Sequence, residues 1–311
     1  MNCGICAGPL GFHYSYDDVT WDDRFEGSMW RYWPLLPVDA PEGAVTLGEG
    51  GTPLLPAQSF NGRQVYLKDE TRNPTGSHKD RSLSVAITHA KAVGADVSVI
   101  VSTGSAGISN AALAARAGMR SAVVMTEGTP PERLYPMFEV KAQIDPIVEG
   151  VISVCRERGL YLSTTSRNSN PYQCEGNKTI AYEIVEELGG APDWVVVPVG
   201  GGGTISGIWR GFRDCHALGL IDSLPRMIGV VPRDYNALEV AEYDWVYPAG
   251  ILRPVGTAHD RSAGATSDRW LRGCELLYFR ARSRGRPPRH IGRGLGLAGF
   301  QPLAREREFE G

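Results

Sequence analysis

A chain of 311 residues, 42% hydrophobic and 22% charged with a formal net charge of −3, has enough apolar material for a large core and reads as about two domains. Aromatic and β-branched residues along most of its length exclude an intrinsically disordered protein. The sequence contains no run of about 18 apolar residues, so no membrane span is expected. The opening stretch from Met1 to Cys6 has neither a basic nor an apolar region. It is therefore not expected to act as a signal peptide, and the expected location is cytoplasmic.

In chain order, the first sixty residues read as an arm. Pro34, Pro37, Pro41 and the cluster Gly48-Glu49-Gly50-Gly51 work against long regular elements there, while Trp30, Tyr32, Trp33, Leu35 and Leu36 need a surface to bury against. Val65-Tyr66-Leu67 reads as a short strand. From Lys79 to Val93, Leu83, Ala86, Ile87, Ala90 and Val93 recur at three and four residues, predicting an amphipathic helix. Val97 to Val101 (VSVIV) is a run β-branched but for Ser98, suited to a buried parallel strand. A helix over Ser109 to Ala117, stopped by Gly118, and a strand over Ala122 to Met125 follow. Helices are expected near Glu132–Lys141, Val148–Arg158 and Lys178–Leu188. Trp194–Val199 and Met227–Val231 read as strands enclosing a helix from Thr204 to His216. Strands alternating with helices specify an α/β fold with a largely parallel sheet.

Six cysteines do not make a disulfide scaffold in a chain of this size. Cys155, Cys174, Cys215 and Cys274 read as small buried hydrophobes. Cys3 and Cys6 have the spacing of half a zinc knuckle, but a structural zinc takes four ligands, so they are weak zinc candidates and no other metal site is expected. Residues 252–311 hold twelve arginines, no lysine and six acidic residues. This basic end lacks the interleaved aromatics of a base-stacking surface and reads as solvated, so no nucleic-acid partner is expected.

Three loops, each between a strand and a helix, carry the chemistry; in open α/β sheets such loops line the ligand crevice. In Asn73-Pro74-Thr75-Gly76-Ser77-His78-Lys79-Asp80-Arg81, Lys79 falls at a helix N-terminus. The helix dipole and nearby Arg81 would lower its pKa, making a nucleophile suited to a Schiff base. The tetraglycine Gly200-Gly201-Gly202-Gly203 followed by Thr204 opens another helix. It lets backbone N–H groups converge on a phosphate, but lacks the lysine of a P-loop and the spacing of a dinucleotide fingerprint. Ser102-Thr103-Gly104-Ser105-Ala106-Gly107 is a second anion-binding candidate. Two anion sites and a reactive lysine suit a phosphate-bearing cofactor and a carboxylate-bearing substrate.

Lys68-Asp69-Glu70 with Asn73 to Arg81 resembles the cofactor-lysine signature of threonine synthases, which are pyridoxal-phosphate enzymes of the tryptophan-synthase-β fold. Trp30-Arg31-Tyr32, Leu35-Leu36-Pro37, Leu47 to Leu54, Ser102-Thr103-Gly104, Ala111 to Gly118, Glu175-Gly176-Asn177-Lys178-Thr179 and Pro198 to Gly203 match the same family in register. The resemblance implies a fold-type-II enzyme with two open, mostly parallel sheets flanked by helices. It implies an N-terminal arm over 1–25 that resembles part of a zinc knuckle, a large cofactor domain over 26–83 and 177–311, and a small substrate domain over 84–176. It also implies that Lys79 carries pyridoxal 5'-phosphate and serves as general base. Gly200, Gly201, Gly202, Gly203 and Thr204 would hold the cofactor phosphate, Ser105 would lie by the cofactor, and Ser102, Thr103 and Gly104 would lie by the substrate carboxylate. The activity implied is a carbon–oxygen lyase making threonine from the small-molecule amino acid phosphohomoserine, in a homodimer.

The sequence departs from that family at four places. Ser105 stands where asparagine is usual, and Gln173 where arginine often helps to hold the substrate phosphate. The tetraglycine is closer to serine/threonine dehydratases, and the first half of a four-cysteine knuckle is missing. After about residue 255 the resemblance ends; Thr257, Ser262, Thr266 and Ser267 are candidates by type alone for the contact to the cofactor ring nitrogen. Dehydration of serine or threonine, β-replacement, and a catalytically inactive cofactor-fold protein are the alternative readings.

Overall fold

The computed structural model describes residues 11–102, 104–124, 144–164, 170–232, 253–254 and 274–280. The arm forms three 3-10 turns at Asp23–Phe25, Met29–Leu35 and Pro41–Gly43, in keeping with its prolines. Its aromatic residues bury as expected. Trp30 packs with Met29, Leu36 and Val85, and its indole N–H donates to Glu49 Oε1 at 2.9 Å and Ser84 Oγ at 3.1 Å. The irregular reading fails at its end, because β1 (Leu54–Phe60) pairs antiparallel with β2 (Arg63–Lys68). The hairpin turns on Asn61 and Gly62, at φ +48° and +74°, where both central residues must enter the left-handed region.

The first parallel sheet follows. Helix α1 (Lys79–Ala92) leads to β3 (Val97–Val101), α2 (Ser105–Ala117), β4 (Arg120–Val124), α3 (Ile144–Glu157) and β5 (Tyr161–Leu162). The strands lie in the order β4-β3-β5, all parallel. Leu83, Ile87 and Ala90 of α1 pack against Ile100, Leu113 and Ala114 as the periodicity predicts. Val93 does not join them: it caps the helix and is 60% exposed. The helix expected over Glu132–Lys141 lies outside the described residues, as does Met125.

The second sheet is mixed. After α4 (Tyr172–Gly176) and α5 (Thr179–Leu188) come β6 (Trp194–Pro198), α6 (Gly203–Ala217), β7 (Arg226–Pro232), β8 (Arg253–Pro254) and β9 (Cys274–Arg280). The order is β6-β7-β9-β8, with β6 and β7 parallel and β9 antiparallel to both of its neighbours. Ile180, Tyr182, Val197, Ile208, Phe212 and Met227 form its core, which Tyr32 and Leu35 of the arm complete and against which Val19 and Trp21 pack.

Helix α4 is wedged between the two helices that matter for the site. A Cβ on Gly176 would lie 2.0 Å from the Arg81 carbonyl oxygen of α1, and one on Gly207 of α6 would lie 2.5 Å from Asn177 Cβ. Only glycine permits these approaches. They fix where the N-termini of α1 and α6 sit relative to each other.

Candidate active site

Lys79 is the first residue of α1, and a dense set of hydrogen bonds shapes the loop that delivers it. Asn73 Oδ1 accepts from Gly50 N at 3.0 Å, and the Asn73 carbonyl accepts from Gly76 N at 2.8 Å. Ser77 Oγ accepts from Lys79 N at 3.2 Å. The buried carboxylate of Asp80 accepts from Thr75 N at 2.7 Å, from Thr75 Oγ1 at 2.5 Å and from the Ser109 hydroxyl of α2. Acceptors at a helix start satisfy backbone donors that have no partner within the helix.

Burial pushes the Lys79 amine below the ordinary lysine range, with the Cys174 thiol acting in the opposite direction. Among the described residues no carboxylate is in ion-pair range of it. The expected lowering is therefore present, but its cause differs from the expected one. Arg81 does not face the amine as an unanswered charge: its fully buried guanidinium bonds Glu70 Oε2 at 2.8 Å and Glu183 Oε1 at 2.6 Å, and Thr52 Oγ1 at 3.0 Å. Desolvation disfavours the charged lysine and so favours the free amine, the form that attacks a carbonyl.

The tetraglycine loop leaves β6 and enters α6. Gly202 caps the helix at φ +80°, a conformation that favours glycine, and Gly203 is the first helical residue. A Cβ built on Gly200, Gly201 or Gly202 meets no atom within 4 Å, so open space lies where side chains would stand. The unpaired N–H groups of the first turn and the helix dipole favour an anion there. Thr204 Oγ1 and His78 Nε2 share a 3.1 Å hydrogen bond, which joins this loop to the lysine loop. Burial, and then the charge of Lys79, lower the His78 pKa to about 4, so its imidazole is neutral at pH 7.

The third loop differs in detail from the sequence reading. Helix α2 begins at Ser105, four residues before the expected start, because Ser102 Oγ accepts from Gly104 N at 3.2 Å and Gly107 N at 3.1 Å. Ser102 thus shapes the helix start, Gly104 caps it in extended backbone, and Ser105 is exposed. Gln173 is buried and its amide donates to the Ser163 carbonyl at 2.8 Å. Thr103, Cys3, Cys6, Thr257, Ser262, Thr266 and Ser267 lie outside the described residues. Among the described residues no group of three His, Cys, Asp or Glu side chains could hold a metal ion. No helix among them is long and apolar enough to cross a membrane.

Two hydrogen bonds therefore join the start of α1 to the tetraglycine loop and to the helix that follows the third loop: His78 to Thr204, and Asp80 to Ser109 of α2. The sequence reading did not single out His78, Asp80, Asn73 or Thr75, although all four stand within the motif around Lys79. A lysine amine whose charged form burial disfavours, beside an open cradle of N–H groups, fits pyridoxal phosphate, whose aldehyde needs an uncharged amine and whose phosphate needs donors without side-chain bulk.

The sequence pattern of the pyridoxal-phosphate dependent enzymes matches residues 45–249. The threonine synthase of Methanocaldococcus jannaschii is 36% identical over 244 residues, which make up 72% of this chain and 60% of that protein. That of Synechocystis sp. is 41% identical over 217 residues, 66% of this chain and 56% of that protein. The chain thus spans about three-fifths of the length of these curated relatives. O-ureido-L-serine synthase superposes with a TM-score of 0.53 at 26% identity, over 62% of this chain and 64% of that one. Diaminopropionate ammonia lyase from Escherichia coli gives 0.54 at 16% identity, over 71% and 67%, a likeness of fold alone.

Proposed function

The chain belongs to the pyridoxal-phosphate dependent enzymes, and on that premise we propose that it acts as a threonine synthase-like carbon–oxygen lyase, converting O-phosphohomoserine to threonine and phosphate. The observation that carries the reading is the partly buried Lys79 amine, its charged form disfavoured by burial, in a loop bonded to a glycine cradle. The threonine synthases among its relatives support the substrate class.

In this reading Lys79 holds the cofactor covalently, the N–H groups of Gly200, Gly201, Gly202 and Gly203 with the Thr204 hydroxyl hold its phosphate, and Ser105 lies beside it. When bound, pyridoxal phosphate supplies an electron sink for the substrate α-carbon. The N-terminus of α2, shaped by Ser102 and Gly104, receives the substrate carboxylate, with Thr103 as a further donor of the same loop sequence. Lys79 Nζ, whose charged form burial disfavours, takes up a substrate proton and returns it. His78 is neutral at pH 7 and adds no positive charge beside Lys79. A cytoplasmic homodimer is the accompanying expectation, and sedimentation of the purified chain tests the oligomer.

One observation favours a second reading. Gln173 spends its amide on the Ser163 carbonyl, so it presents no charge to a substrate phosphate. That suits a serine/threonine dehydratase or a β-replacement enzyme. Incubating the purified chain with pyridoxal phosphate and either O-phosphohomoserine or threonine separates the readings. Phosphate and threonine release supports the synthase, and a 2-oxo acid from threonine supports the dehydratase. A protein that holds the cofactor and turns over neither is the inactive form.

A further inference from the structure

Beneath the far end of α6 lies a quartet of charges that the reaction does not use. Lys178 Nζ is 3.1 Å from Glu175 Oε2 and 2.9 Å from Asp214 Oδ2, and Arg210 pairs with Glu175 Oε1. Glu175 belongs to α4, Lys178 caps α5, and Arg210 and Asp214 belong to α6. The quartet balances two positive against two negative groups and is buried or nearly so. It is closed from outside by the arm: Tyr14 OH donates to Glu175 Oε2 at 2.8 Å, and Tyr16 OH donates to Asp214 Oδ1 at 2.9 Å. The Tyr14 ring also covers the Lys178 ammonium, at 3.8 Å from its centroid. Tyr182 OH donates to Asp214 Oδ2 at 2.5 Å from within the core.

We propose that Tyr14 and Tyr16 are positioning residues for the glycine cradle, acting through Glu175 and Asp214 on helix α6. Charges kept from water attract each other strongly, and a network with a missing member loosens. With both hydroxyls in place, Glu175 and Asp214 keep a full set of donors, and α6 is tied to α4 through Arg210 and to the start of α5 through Asp214. The opposite side of α4 already rests on α1 through Gly176. The clamp therefore sets where Gly200 to Gly203 and Thr204 stand relative to Lys79. This inference rests on the cofactor reading above, but the state of α6 can be measured without cofactor.

The test compares the full-length chain with Tyr14→Phe/Tyr16→Phe, which keeps both rings and removes both hydroxyls. Two ligands are titrated, pyridoxal phosphate and pyridoxal, and amide exchange of Ser206 is followed without ligand; its N–H closes the first turn of α6 on the Gly202 carbonyl at 3.0 Å. The expected result is about tenfold weaker binding of pyridoxal phosphate, unchanged binding of pyridoxal, and faster exchange at Ser206. An equal loss for both ligands, or unchanged exchange at Ser206, would overturn the proposal. Wild-type protein that binds neither ligand would end the cofactor reading instead, and exchange at Ser206 would still decide whether the arm holds α6.

Discussion

Thr204 Oγ1 lies 3.1 Å from His78 Nε2, and this contact joins the first turns of two helices that are more than a hundred residues apart in sequence. One helix begins with Lys79 and the other with the tetraglycine cradle. On the proposed function, a phosphate held at the second helix and an aldehyde offered to the first must be a fixed distance apart. The hydrogen bond, with α4 wedged behind it, holds that distance.

Thr204→Val keeps the shape of the side chain and removes its hydroxyl. We expect pyridoxal phosphate to bind roughly tenfold more weakly, a cost of about 1.4 kcal/mol. Urea unfolding should change little. Equilibrium titration checks the first outcome and a denaturation curve the second.

Arg81 is fully buried between Glu70 and Glu183, and Lys68 Nζ also reaches Glu183 at 2.9 Å. Removing only the arginine leaves two carboxylates facing each other without their main partner. Arg81→Met should destabilise the chain by about 3–5 kcal/mol. Adding Glu183→Gln should restore part of that loss. The two urea midpoints give the comparison.

Gly176→Ala places a methyl 2.0 Å from the Arg81 carbonyl oxygen, where backbone on both sides prevents an easy shift. The expected cost is about 3 kcal/mol or more. Gly200→Ala, whose Cβ meets open space, should leave stability unchanged while weakening phosphate binding. Melting temperatures and cofactor titration together separate a packing glycine from a binding one.

Acid should unfold the protein in two stages. His78 has its pKa lowered from 6.5 to about 4, so between those values the unfolded chain binds the extra proton and stability falls as pH falls. Glu183 is held at about 2 against an ordinary 4.5 by Arg81 and Lys68, so its contribution is complete above 4.5 and is lost towards 2. His78→Gln should flatten the first stage and leave the second. Melting temperatures from pH 7 to 3 would contradict this if the wild type and the variant ran parallel throughout.

The regular interior was legible in the sequence because its periodicity and its burial share one cause. The run Val97 to Val101, apolar but for Ser98, and the stripe through Leu83, Ile87 and Ala90 appear where expected. The hairpin from Leu54 to Lys68 was read only in part, since Pro56 breaks the strand pattern; the Asn61-Gly62 pair was its available signal. The early start of α2 depends on the Ser102 hydroxyl, and Ser105-Ala106-Gly107 alone looks like loop. The place of Lys79 at a helix start was legible, but not the cause of its lowered pKa. A sequence shows Arg81 two residues away and cannot show that Glu70 and Glu183 occupy it. The Lys178 quartet was illegible for the same reason, because charged side chains read as surface until their partners come from other elements.

The central claim is that Lys79 alone carries the cofactor. Loading the chain with pyridoxal phosphate, reducing with borohydride and mapping the modified peptide by mass spectrometry tests it most directly. The account predicts one pyridoxyl group, on Lys79, and its absence from Lys79→Ala. Modification of Lys68, Lys91 or Lys178 in place of Lys79, or no stable modification at all, would contradict it.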